Sequence, residues 1–191
     1  MLIYKELPVL SFESAQVYET WLAEHHPQPT GFWLRYYKKG SGQPTLLHDE
    51  AVDVSISWGW IDGLVNKYDD TSYLVRFTPR RPKSIWSKVN VAKVERLIAE
   101  GRMQPSGLIH VEKAQQDGRW DRAYEPASKM VVPADFIALV DQDPLANEFY
   151  QTLNRASLYA IGFRLNATRD PEKRAKKMGQ LLAMLRDKRF V

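Results

Sequence analysis

An α+β fold, with a small antiparallel or mixed sheet flanked by helices and followed by a C-terminal helical module, is what this sequence predicts. Three observations carry the prediction. Up to residue 80 the apolar pattern switches between helical spacing and strand-like runs, with no internal repeat. From Ser84 onward nearly every segment reads as helix. All six Trp lie at or before Trp120, and this compositional shift sets the expected boundary: an α+β body over residues 1–130 and a helical module over 131–191, either separate or packed onto the body as one domain.

The elements follow in order. Phe12 to His26 places Val17, Trp21 and Leu22 at helical spacing and stops before Pro27, which cannot continue a helix. Gly31 to Lys38 has the aromatic weight of a strand, and Lys39 to Pro44 is a Gly- and Ser-containing turn. Asp49 to Trp58 returns to helical spacing through Ala51, Val52, Val54 and Ile56. Trp60–Tyr68 and Tyr73–Thr78 read as a strand pair around the turn Asp69-Asp70-Thr71-Ser72. Ser84 is the expected N-cap of a helix that reaches Ala99 and ends at Gly101; a second helix runs from Pro105 to about Gln116. After a polar connection over Asp121 to Val132, helices are expected over 133–141, 144–153, 157–167 and 171–188.

Bulk properties narrow the class of protein. With 191 residues, of which 44% are hydrophobic, the chain can bury a substantial core. No apolar run approaches the roughly 18 residues of a membrane span, and Met1 to Glu6 lacks the design of a signal peptide, so a cytoplasmic location is expected. The absence of Cys excludes disulfides, thiolate-ligated zinc and Cys nucleophiles. Charge is uneven: Arg76–Arg102 holds eight basic residues against two acidic, Arg164–Val191 nine against three, so each is +6 and the rest of the +4 chain is −8. Two basic patches of this kind suit phosphates, nucleic acid or anionic lipid.

Function is sought in the stretch between Trp58 and Asn90. The candidate ligand-binding residues are Trp58, Trp60, Asp62, Arg76, Arg80, Arg81, Lys83, Ser84, Trp86 and Asn90. Arg forks bind phosphate or carboxylate bidentately, two prolines stiffen the Thr78-to-Lys83 loop, and a helix beginning at Ser84 would add its positive dipole end to the same place. The three Trp are either stacking surfaces or core, and Asp62 is either a functional acid or the ion-pair partner of Arg76 or Arg80. His25, His26, His48 and His110 lack the i, i+4 spacing of a helical metal pair, so no metal and no cofactor are expected. Nucleophile-elbow, phosphate-loop and dinucleotide signatures are missing from the sequence.

The motifs Gly59-Trp60-Ile61-Asp62, Arg76-Phe77-Thr78-Pro79-Arg80-Arg81 running into Ser84–Asn90, Val94–Ile98 with Gly101-Arg102-Met103, and Asp117-Gly118-Arg119-Trp120 follow one another in an order that resembles the bacterial YdeI/OmpD-associated proteins. The C-terminal segment from Asn166 into a basic amphipathic helix is similar to that family's terminal module. The resemblance implies a link to bacteriocin protection and assigns no catalytic residues. Ser57 departs from it, standing where similar proteins often carry Cys. Three classes of function fit these observations: a cytoplasmic binder of a small anion, set in stress or bacteriocin tolerance; a nucleic-acid-associated protein using both basic patches; and an enzyme of unknown reaction with Asp62 as acid/base. A membrane partner is the least supported, and the sequence leaves the oligomeric state open.

Overall fold

The computed structural model describes residues 2–126 and 128–189. Met1 of the expected body, Ala127 in the expected connection, and Phe190 and Val191 of the expected helical module lie outside the described residues. The fold is α+β. The chain divides into two compact units, Met1–Trp86 with Asn90–Ala123, and Ser87–Val89 with Tyr124–Val191.

In the first unit a five-stranded mixed sheet has the order β1-β2-β3-β5-β4. Its strands are β1 (Leu2–Tyr4), β2 (Leu7–Leu10), β3 (Phe32–Tyr37), β4 (Trp60–Lys67) and β5 (Ser72–Pro79). β2 and β3 are parallel, bridged by the crossover helix α1 (Ala15–His25), and the other neighbours are antiparallel. Register assigns the faces. Phe32 opposes Phe77, Leu34 opposes Val75 and Tyr36 opposes Tyr73, and these side chains meet Tyr18 and Leu22 of α1 and Ala51 and Val54 of α2 (His48–Ser57) in the main core. The opposite face carries Trp33, paired with Arg76, and a smaller cluster of Val9, Trp33 and Leu74.

The first two strands are absent from the sequence reading. They form a hairpin whose two turn residues, Lys5 and Glu6, adopt φ of 45° and 65°. Such a turn normally advertises itself with Gly or Asn, and here it does not.

Helix α2 differs from the half-buried helix its spacing suggests, since Ala51 through Ser57 are all buried. Its far side packs against α3 (Lys88–Ala99) and α4 (Pro105–Gln116) through Val52, Ile56, Val94, Leu97, Val111 and Ala114. The polar residues on it are therefore paired. Ser55 shares a 2.8 Å hydrogen bond with the Tyr18 hydroxyl, and Ser57 donates to the Val54 carbonyl at 2.7 Å. Asp53 accepts from Lys93 and Arg96 of α3. α4 approaches α2 so closely that a Cβ on Gly107 would lie 2.2 Å from the Ser57 carbonyl oxygen.

The second unit is helical: α5 (Ala134–Asp141), α6 (Pro144–Tyr150), α7 (Arg155–Asn166) and α8 (Pro171–Arg186) enclose Phe136, Val140, Ala146, Ile161, Leu165, Met178, Leu181 and Leu185. Three of these helices start on a side-chain cap that satisfies a free backbone N–H. Asp143 accepts from Ala146 N, Asn154 from Ser157 N, and Asp170 from Lys173 N. Among the described residues no helix is long and apolar enough to cross a membrane.

Candidate functional site

The loop after β5 is built differently from the expectation. α3 begins at Lys88, not at Ser84. Ser84 instead closes a turn with Arg81: its Oγ accepts from Arg81 N at 3.1 Å and its N donates to Arg81 O at 2.9 Å. A hydroxyl used in this way cannot cap a helix, and the Arg80-to-Ser84 loop stops four residues short of the helical N–H groups. Arg81 and Lys83 are exposed on the turn. Asn90 sits in the first turn of α3, partly buried.

Arg80 takes another course. It is only 4% exposed, with its guanidinium 3.5 Å from the centre of the Trp86 ring, a cation–π stack. Its backbone N donates to the Gly59 carbonyl at 2.9 Å, and its Nη1 reaches the Ile85 carbonyl at 3.5 Å. The edge of Trp86 meets Trp120, with 5.0 Å between ring centres. From the segment after α4, Arg119 donates Nη1 to the Ser84 carbonyl at 2.6 Å while its Nε holds Asp117 at 2.8 Å. Burial favours the neutral form of Asp117, but the hydrogen bonds and charge of Arg119 outweigh it and hold this carboxyl below its ordinary range.

His110, on α4, faces the same place. Gly59 lies directly against it, in a backbone conformation (φ +83°) suited to glycine, and a Cβ there would be 2.9 Å from His110 Cδ2 and 2.9 Å from the Ser106 carbonyl oxygen. Partial burial depresses the His110 pKa, and Arg80, Lys113 and Arg119 lower it further. Every charge acting appreciably on this imidazole is positive. Neither the His110 ring nor the exposed Lys113 side chain has a hydrogen-bond or ion-pair partner among the described residues. Sequence reasoning did not find this constellation: His110 has no metal spacing, and Arg119 stands out only as part of the Asp117–Trp120 motif.

The other candidate residues lie elsewhere in the first unit. Trp60 is in the main core and donates Nε1 to the His26 carbonyl at 3.1 Å. Trp58 packs beside that core, 4.7 Å from the His26 ring. Arg76 projects to the sheet face opposite Phe77, so it is not brought to Asp62, whose register partner is Phe77. Asp62 instead faces His48 Nε2 at 3.6 Å, beside a β-bulge in the edge strand. Of the partners considered for Asp62, Arg76 is therefore ruled out by register, and the contact the structure gives it is His48. Among the described residues no group of His and carboxylates is arranged to hold a metal.

Part of the second basic segment is paired with acids, Arg189 with Asp187 among them. Arg174 pairs with Asp135, Arg186 with Asp143 and Lys188 with Glu148, while Lys177 donates to Thr168.

Comparison with known families bears on both units. Residues 10–110 match a family described as Domain of unknown function (DUF8412), over more than half of the chain. The chain belongs to that family. Arg80 and His110 both fall inside the matched segment, while Lys113 and Arg119 lie just beyond it. Residues 129–188 match the family described as Bacteriocin-protection, YdeI or OmpD-Associated, in agreement with the resemblance read from the sequence. No curated protein and no solved structure matches the chain.

Proposed function

We propose that this protein binds a small inorganic-sized or carboxylate-type anion beside His110, where Lys113 is exposed, Arg119 partly buried, and the buried Arg80 adds its charge. The observation that carries the reading is a half-buried imidazole, without a hydrogen-bond partner among the described residues, on which three cations converge from separate elements. Positive charge around the ring disfavours its protonated form in the empty protein, and an anion offsets that. Trp86 supports the reading by fixing the Arg80 guanidinium in one plane. Since Trp60 and Trp86 are buried, neither offers a stacking surface to a planar ligand; Trp86 holds Arg80, and Trp60 belongs to the main core.

Calorimetric titration with phosphate and acetate at fixed ionic strength tests this. Saturable binding that weakens several-fold in Lys113→Gln, an exposed position that leaves packing intact, is expected. Absence of binding in the unaltered chain would overturn the reading.

The setting we propose, cytoplasmic tolerance of bacteriocins or a related stress, draws on the family description matched by residues 129–188. A deletion strain with unchanged bacteriocin sensitivity would remove it. The nucleic-acid alternative draws less support, because four cations of the C-terminal patch already have acidic partners.

A further inference from the structure

The sheet face opposite the main core holds two buried donors that no residue answers. Trp33 of β3 and Arg76 of β5 are register partners on that face, and side chains opposed in this way leave the backbone about 5 Å apart at Cβ. Trp33 is 2% exposed and Arg76 is partly buried. The Trp33 Nε1 and the Arg76 Nε are both buried, and neither has a hydrogen-bond partner among the described residues. Arg76 has no ion pair there either. Its surroundings explain this. Along its own strand Arg76 is flanked on this face by Leu74 and Thr78. On the β4 side, the bulge between Asp62 and Val65 brings Gly63, where an added Cβ would meet only the Arg76 carbonyl oxygen, at 3.7 Å. Asp62 shares the other face with its register partner Phe77. Asp69 is already bound by Arg35 at 2.7 Å.

We infer that this pair is a second anion site, distinct in its residues from the one beside His110, and that it takes a small monocarboxylate. The Arg76 guanidinium holds the two carboxylate oxygens side-on, and the Trp33 Nε1–H donates to one of them. Buried N–H groups are normally hydrogen-bonded, and leaving one unanswered is costly. The two residues cannot answer each other, because an indole nitrogen and a guanidinium only donate. An acceptor from outside the chain meets both. The edge formed by Nε and one Nη matches the spacing of two carboxylate oxygens. Charge selects among oxyanions. Arg76 supplies one positive charge beside the apolar cluster of Val9, Trp33 and Leu74, and Arg35 is already paired. A monoanion is therefore balanced, whereas a dianion such as phosphate brings a second charge that nothing there offsets. Size selects as well. Tyr4 packs edge-on against Trp33, with 5.4 Å between ring centres, and the indole is almost wholly covered, so only a compact headgroup reaches Nε1.

Site-resolved NMR of the full chain tests this. The Trp33 Nε1–H and Arg76 Nε–H signals are assigned through bonds in the unaltered protein. They are then followed during titration with sodium acetate and, separately, with sodium phosphate on the alkaline side of neutrality, at constant ionic strength. Both signals are expected to move along one saturable acetate curve, with phosphate about tenfold weaker. Trp33→Phe keeps an aromatic ring and removes the N–H, and should weaken the acetate response of the Arg76 signal about tenfold, the loss of one hydrogen bond to a charged group. Arg76→Gln should abolish the response of the Trp33 signal. Lys113→Gln should leave both responses unchanged while weakening binding beside His110, so the two sites stand or fall separately. Acetate that leaves both signals unmoved in the unaltered chain would overturn the inference, as would phosphate that moves them as readily, and both outcomes are read whether or not a variant folds. A folded Trp33→Phe with an unchanged Arg76 response would overturn the sharing of one anion by the two donors.

Discussion

Two charged clusters of the first unit are built on opposite plans. Around Asp53, between α2 and α3, signs alternate: Lys93 bridges Asp49 and Asp53 at 2.6 and 2.8 Å, and Arg96 joins Asp53 to Glu100, which also meets Arg102. Around His110 every charge that acts on the ring has one sign. A buried carboxylate with two cationic partners is a solved problem of the fold, and its groups need nothing further. A half-buried imidazole facing three cations is a problem left open, which is why the second cluster and not the first is read as a site. Ion pairing alone does not separate the two, since Arg119 has Asp117. What separates them is whether the partners converge on compensation.

The largest effect that tests this contrast is expected at Asp53. Asp53→Ala removes the buried acid that Lys93 and Arg96 share and leaves Lys93, whose side chain is 12% exposed, with only the exposed Asp49; it should lower stability by about 3 kcal/mol in urea unfolding. A loss near zero would mean that the network is as solvated as a surface pair and that the contrast is overdrawn. The same carboxyl gives an acid-side signature. Burial would raise its pKa, but hydrogen bonds from Lys93 and Arg96 prevail and hold it below the usual value. Its contribution is therefore complete above about pH 4, the unfolded carboxyl value, and is lost as pH falls toward the lower folded one.

A smaller effect is expected at His110, with its own pH window. Its folded pKa is depressed, so the unfolded chain binds the extra proton first. Anion-free protein should lose stability as pH falls below about 6.5, the unfolded value, until the folded ring also protonates. His110→Gln should flatten that part of the stability profile, and a saturating anion should do the same to the unaltered protein. Thermal unfolding from pH 5 to 8 in a non-binding buffer reads this directly, and an unchanged slope in the variant would place the dependence elsewhere.

The smallest effect carries the opposite sign. Lys113→Gln removes a cation with no partner among the described residues, and should raise the stability of anion-free protein by a few tenths of a kcal/mol while weakening anion binding. Loss of stability on both counts would show that Lys113 is structural.

Much of the fold was legible because its signals are local. Pro105 and Gln116 bound α4, Pro27 follows the end of α1, and the aromatic weight of Phe32–Tyr37 marks a strand. What escaped was set by partners distant in sequence or by residues used against type. Lys5 and Glu6 turn a hairpin with positive φ, and Ser84 closes a turn with Arg81 while the helix starts at Lys88. The site was half legible. Arg80 and Trp86 stood out by crowding and proved to touch, whereas Arg81 and Lys83 lie exposed on their turn and Arg76 faces away across the sheet. His110 and Arg119 join Arg80 only because α4 docks on the corner at Gly59, and no spacing in the sequence encodes that approach.

That corner also makes a statement about inheritance. Since a methyl group at position 59 would collide with the imidazole at 110 and the carbonyl of Ser106, the two positions are not free to drift separately. A lineage that replaces Gly59 must shift α4 or shorten residue 110, and either change dismantles the cation cluster. In an alignment, glycine at 59 and histidine at 110 should be gained and lost together, making the pair a genetic marker of which relatives keep the site.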